Sequence, residues 1–157
     1  MFNTCLAIED YYMNIVSITL VKNEEKIVES FIRYNSYFIY KMIIIDNGCK
    51  DNTIPIINKL IDEGYNIELY SEANVGYKQA YLENKYMYKT IADGGVDWII
   101  PLDVDEFLDM DKDFLNSLDC SKGYYVYWKN YVLLEDCDLS EKCIPKRLTS
   151  RLMKKRI

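Results

Sequence analysis

Apolar residues in this chain fall into short unbroken runs separated by stretches of helical period. "NIVSITLV" (14–21) is a continuous, largely β-branched run, the pattern of a strand covered on both faces, and it stops at Lys22-Asn23-Glu24. From Glu25 to about Tyr40, residues Ile27, Val28, Phe31, Ile32 and Phe38 recur near helical spacing. "KMIIID" (41–46) is a second buried run, ending in Asp46. The turn-forming "NGCKDNT" (47–53) follows, with Asp51 or Thr53 as a helix cap and Pro55 tolerable in the first turn. Ile56, Ile57, Leu60 and Ile61 supply that helix with a stripe, and Gly64 ends it.

"NIELY" (66–70) predicts a third strand, and the loop "SEANVG" leads to a helix over 77–92 with a stripe of Tyr, Leu, Met and Ile. "VDWIIPL" (96–102) predicts a fourth strand and "GYYVYW" (123–128) a fifth. This alternation predicts an α/β fold: a mostly parallel central sheet with helices on both faces, three layers in all. No repeat or linker interrupts it, so residues 1–157 read as one domain.

Composition narrows the chemistry. The net charge is −6, yet Lys146, Arg147, Arg151, Lys154, Lys155 and Arg156 lie together near the end with no acid among them. Residues 1–145 therefore carry 13 basic against 25 acidic side chains, a net −12. So acidic a body argues against nucleic acid as a partner, because phosphates demand a basic surface. The basic tail has two readings: a solvated helix end, or a peripheral contact with anionic lipid.

The five cysteines (Cys5, Cys49, Cys120, Cys137, Cys143) contain no CxxC pair, and the chain has no His to complete a mixed zinc site. Reduced thiols and a cytoplasmic location are the simplest expectation. The missing His also excludes a Ser-His-Asp triad and imidazole acid–base catalysis. Carboxylates, amides, Tyr, Lys, Arg and a metal remain.

Ligands of open parallel sheets bind beyond the carboxyl ends of the strands. Three predicted strand ends carry polar clusters that should converge on one crevice: Lys22-Asn23-Glu24, Asp46-Asn47-Gly48 and Asp103-Val104-Asp105. Asp103 and Asp105, two apart on an extended strand end, put both carboxylates on one side. Two neighbouring anions destabilise each other unless a cation intervenes, and Mg²⁺ or Mn²⁺ with oxygen ligands would supply it. Asp109, Asp111 and Asp113 read instead as acids at the start of a following helix. An EF-hand fails in either register, since Phe114 or Leu108 stands where the turn glycine is required.

"ITLVKNEEKIVESFIRY", "IIIDNGCKDNT" and "DWIIPLDVDEFL" together resemble family 2 glycosyltransferases, in particular the bacterial branch with KNE, DNGxxDxT and DxDEF motifs. The resemblance covers about 14–128. It implies a GT-A fold, with a Rossmann-like nucleotide-sugar-binding part over 14–128 and an acceptor-side part, short here, over 129–157. It implies transfer of a sugar from a nucleotide-sugar donor, most often a UDP-sugar, to a hydroxyl of a saccharide or lipid-linked acceptor, as in cell-surface polysaccharide or glycan synthesis.

By the same resemblance Asn23, Glu24 and Asp46 would line the nucleoside pocket, and Asn74 and Gly76 would form a loop over the donor. Asp103 and Asp105 would hold Mn²⁺ or Mg²⁺, with one carboxylate also reaching the donor. The catalytic base of such enzymes comes from beyond the DxD strand, where Glu135 and Asp136 are the only paired acids and Asp136 is the weak candidate. So short a C-terminal part leaves a competing expectation, a non-catalytic nucleotide-binding or interaction domain. An aspartyl phosphatase fits poorly, because its DxD normally closes the first strand and this one closes the fourth. The expected location is the cytoplasm, with the basic tail at the inner face of the membrane.

Overall fold

The computed structural model describes residues 13–73, 78–111, 114, 117–119, 121–125, 127, 129–132, 140–148 and 150. The elements run β1 (Ile15–Val21), α1 (Val28–Asn35), β2 (Lys41–Asp46), α2 (Thr53–Asp62), β3 (Ile67–Ser71), α3 (Gln79–Asp93), β4 (Trp98–Pro101) and a short α4 (Ile144–Arg147). The four strands form one all-parallel sheet in the order β3-β2-β1-β4.

β1 and β2 are the middle strands, and their near-continuous apolar sequence follows from burial on both faces. On one face Ile15, Val21, Met42 and Ile44 pack with Val28, Phe31 and Ile32 of α1 and Ile57 and Leu60 of α2. On the other, Val16, Ile18, Ile43 and Ile45 pack with Leu82 and Tyr86 of α3. Each such side chain contributes roughly 1.5–3 kcal/mol by leaving water, so both faces hold the sheet between its helices. β4 is short and lies at an edge, where Pro101 is tolerated. The pairing resumes past it, with the Leu102 amide donating to the Ile18 carbonyl at 3.1 Å.

Three expectations need correction. The helix expected over Glu25 to Tyr40 is shorter at both ends. The Glu24 carbonyl first takes the amides of Ile27 and Val28 in a turn, and the Asn35 carbonyl accepts those of Phe38 and Ile39 after the helix has stopped. Among the described residues of 123–128 the fifth strand is not seen, and Val126 and Trp128 lie outside them. Gly123, Tyr124, Tyr125 and Tyr127 carry no strand pairing, and Tyr125 and Tyr127 are 99% and 96% exposed. Alternating aromatics alone do not make a strand when no described neighbour offers a ladder. Neither Asp51 nor Thr53 is the cap of α2: that position is Asn52, without a side-chain capping bond, while Asp51 Oδ1 accepts from the amide and hydroxyl of Thr53, the first helical residue (3.0 and 2.6 Å). Gly64 closes α2 with φ +98°, a conformation that costs glycine little.

A candidate cation and phosphate site at the strand ends

The strand order sets the location. From β1 the chain moves to β2 and β3 on one side, then crosses through α3 to β4 on the other side of β1. The carboxyl ends of β1 and β4 therefore flank a topological switch point, where sheets of this kind leave a crevice. A cavity of about 230 Å³ lies there, lined by Lys22, Glu24, Ile27, Gln79, Asp103 and Asp105 among others. A second cavity, of about 300 Å³, lies by Ser36, Tyr40, Tyr65 and Asn66 at the opposite end of β2 and β3. It has no carboxylate in its lining. The smaller cavity holds the chemistry.

Of the three polar strand ends, two meet in this cavity and the third does not line it. Asp46 ends β2 one strand away, in register with Val21. Its Oδ1 accepts the amides of Gly48 and Cys49 at 2.9 and 2.8 Å, so it shapes its own turn. Asn23 adopts the left-handed region (φ 61°), which Asn tolerates better than most residues. Its Oδ1 accepts the Lys50 amide at 2.8 Å and its own amide donates to Cys49 Sγ at 3.3 Å. Burial pushes the Cys49 thiol up to about 11, and it stays protonated near neutral pH. Asp51 Oδ2 accepts the Glu25 amide, Thr53 Oγ1 accepts the Glu24 amide, and Glu25 Oε2 accepts the Asn52 amide. The loops after β1 and β2 are thus braced against each other by their own polar side chains.

The loop after β4 is built differently. Asp103 and Glu106 bond reciprocally: the Asp103 amide donates to Glu106 Oε2 at 3.0 Å and the Glu106 amide to the Asp103 carbonyl at 2.9 Å. The fully buried Asn35, at the end of α1, grips the next residues at two points. Its Nδ2 donates to the Glu106 carbonyl and its Oδ1 accepts the Leu108 amide, both at 2.9 Å. Phe107 packs edge-on against Tyr34 and Phe31. Backbone and aromatic contacts anchor the loop, and the carboxylates of Asp103 and Asp105 stay exposed at the cavity.

The electrostatics there are one-sided. Burial raises Glu24 above the usual carboxylate range, and Asp105 and Asp51 raise it further. Glu106 is likewise raised, by burial first and then by Asp103, Asp105 and Glu83, despite the amide it accepts. Among the described residues no Lys or Arg forms an ion pair with Glu24, Asp103, Asp105 or Glu106. Lys22 lines the same cavity. Among the described residues no group of three or more His, Cys, Asp or Glu forms a metal-ligand cluster. Two un-neutralised carboxylates in a raised negative potential still fit a hard divalent cation that takes its other oxygens from water and substrate phosphates.

Asp109 pairs with Lys129. Asp113, Asn74, Gly76, Glu135 and Asp136 lie outside the described residues, as do 151–157 of the basic tail. Lys146 and Arg147, the start of that basic run, lie on α4. Among the described residues no helix is long and apolar enough to cross a membrane. Sequence reasoning missed Asn35 and Gln79. A signal existed for Asn35, a polar residue on the apolar stripe of α1, four residues after Phe31 and three after Ile32. Gln79 had none.

Compared with known proteins, the chain matches no family model and no curated protein. Its fold class is nevertheless plain: a Rossmann-like α/β domain with an all-parallel four-stranded sheet of order 3-2-1-4.

Proposed function

We propose that this domain is a metal-dependent glycosyltransferase of the family 2, GT-A type. It takes a sugar from a nucleotide donor, a UDP-sugar first among them, and passes it to a hydroxyl on a saccharide or lipid-linked acceptor. One observation carries the proposal: Glu24 after β1 and Asp103 and Asp105 after β4 line a single cavity at the switch point of the sheet. The family motifs put the same residues at the nucleotide-sugar. A cavity of about 230 Å³ suits a diphosphate with its ion, the rest of the donor extending past its mouth.

In this proposal Asp103 and Asp105 would hold Mn²⁺ or Mg²⁺ at the cavity. Bound there, the ion would offset the negative charge that grows on the leaving nucleotide as the glycosidic bond breaks. Lys22, at the cavity wall, adds a positive charge on the phosphate side. Glu24, Asp46, Asn74 and Gly76 form the nucleoside side. Asn23 acts through the loop it braces, because its side-chain oxygen is committed to the Lys50 amide. Asp136 keeps the part of base that removes the acceptor proton.

Calorimetric titration of UDP into the folded chain, first with Mn²⁺ and then with EDTA, tests the donor site. Binding that requires Mn²⁺ is expected. Equal binding in both conditions, or none in either, would contradict a metal-dependent donor site.

A further inference from the structure

α3 begins at Gln79, and the Gln79 side chain reaches the loop after β4. Gln79 Nε2 donates to Asp103 Oδ1 at 2.8 Å and to Glu83 Oε1, one helical turn on, at 2.9 Å. One primary amide nitrogen carries two hydrogens, so it can serve two carboxylates at once. Asp103 is then held twice: its main chain by the Glu106 carboxylate and its side chain by Gln79.

The choice of residue matters. A Lys or Arg at this position would neutralise Asp103 and compete with any cation arriving there. An apolar residue would leave the exposed carboxylate to rotate and to repel Glu83. A neutral double donor fixes the carboxylate while preserving its charge, and it leaves Oδ2 and the second lone pair of Oδ1 for a metal. Partners of this kind that orient metal ligands typically contribute 10–100-fold to metal affinity.

We propose that Gln79, supported by Glu83, is a positioning residue that orients the Asp103 carboxylate for a divalent cation. The inference rests on the donor-site proposal above, since it needs Asp103 to be a ligand. It adds that α3 sets the affinity for the ion.

The test measures the Mn²⁺ concentration giving half-maximal UDP binding by calorimetry, together with the melting temperature of the metal-free chain. Gln79→Ala should raise that Mn²⁺ midpoint roughly 10–100-fold and leave the melting temperature unchanged. Glu83→Ala should raise it by a smaller factor, and should add nothing in the Gln79→Ala background if Glu83 acts through Gln79. A wild-type chain that needs Mn²⁺ for UDP beside a Gln79→Ala variant with the same midpoint overturns the positioning role and leaves the donor site standing. A wild-type chain that binds no UDP with Mn²⁺ removes the donor site, and the role of Gln79 with it. Should Gln79→Ala melt early, Glu83→Ala decides alone: a raised midpoint supports the role and an unchanged one overturns it.

Discussion

The loops after β2 and β4 are both rich in Asp, yet they use their carboxylates in opposite ways. In the 46–53 loop, Asp46 and Asp51 are spent on nearby backbone amides and on the Thr53 hydroxyl. Burial works against the charge of Asp51, but the bonds from Thr53 and Glu25 prevail and hold it below the usual carboxylate range. In the 102–108 loop a neutral buried amide, Asn35, and the ring of Phe107 do the holding. The carboxylates of Asp103 and Asp105 remain at the cavity and both push Glu106 upward after burial has done so, while Asp105, together with Asp51, pushes Glu24. Acids that build a turn are satisfied by it. Acids that another residue's scaffolding holds in place remain available for a ligand.

That contrast can be broken most severely at Asn35. Asn35→Ala leaves a cavity, a buried Leu108 amide and a part-buried Glu106 carbonyl without their side-chain partner, and should cost about 2–4 kcal/mol, read by urea unfolding. Asp105→Asn should do the reverse: about 100-fold weaker UDP binding in Mn²⁺ by calorimetry, with no loss of metal-free stability. Thr53→Val deletes the hydroxyl that joins Asp51 to the Glu24 amide. The residue is fully buried, so a cost of about 1–3 kcal/mol is expected in the same urea experiment.

The smallest effects, in pH, sharpen the contrast most, because the two kinds of acid carry opposite signs. Asp51 has a lowered folded pKa, so its contribution is present above the ordinary value of 3.8 and is lost as pH falls through the folded value. The melting difference between wild type and Asp51→Asn should therefore shrink in acid. Glu24 has a raised folded pKa, so the folded state loses stability as pH rises from 4.5 through that value. Glu24→Gln should melt higher than wild type at neutral pH and level with it well below pH 4.5. Melting curves across pH check both.

Much of the fold was legible because its signals are local. β1 and β2 could be read within a residue, since a strand buried on both faces must be apolar throughout. The start of α2 and its Gly64 stop follow from turn chemistry. The ends of α1 did not, because Ile27 and Phe38 continue its apolar period while the backbone is already turning. "GYYVYW" misled for the opposite reason: its composition suits a strand, but its described residues find no neighbouring strand to pair with.

The candidate site was legible at Glu24, Asp103 and Asp105, where polar residues interrupt buried runs. Asn23 and Asp46 do not line the cavity: the polarity of Asn23 serves a left-handed turn, and the strand end of Asp46 lies one strand away. Asn35 and Gln79 act across 71–73 and 24 residues of sequence, which no spacing rule spans.

The most direct test of the contrast is the change in melting temperature on adding Mn²⁺ and UDP to three chains: wild type, Asp51→Asn and Asp105→Asn. Ligands that bind only the folded state raise its apparent stability. The account predicts a rise for wild type and an equal rise for Asp51→Asn from a lower starting point. Asp105→Asn should start unchanged and gain nothing. A full rise in Asp105→Asn, or its loss in Asp51→Asn alone, would assign the ligand to the wrong loop and contradict the division between turn-building and ligand-holding acids.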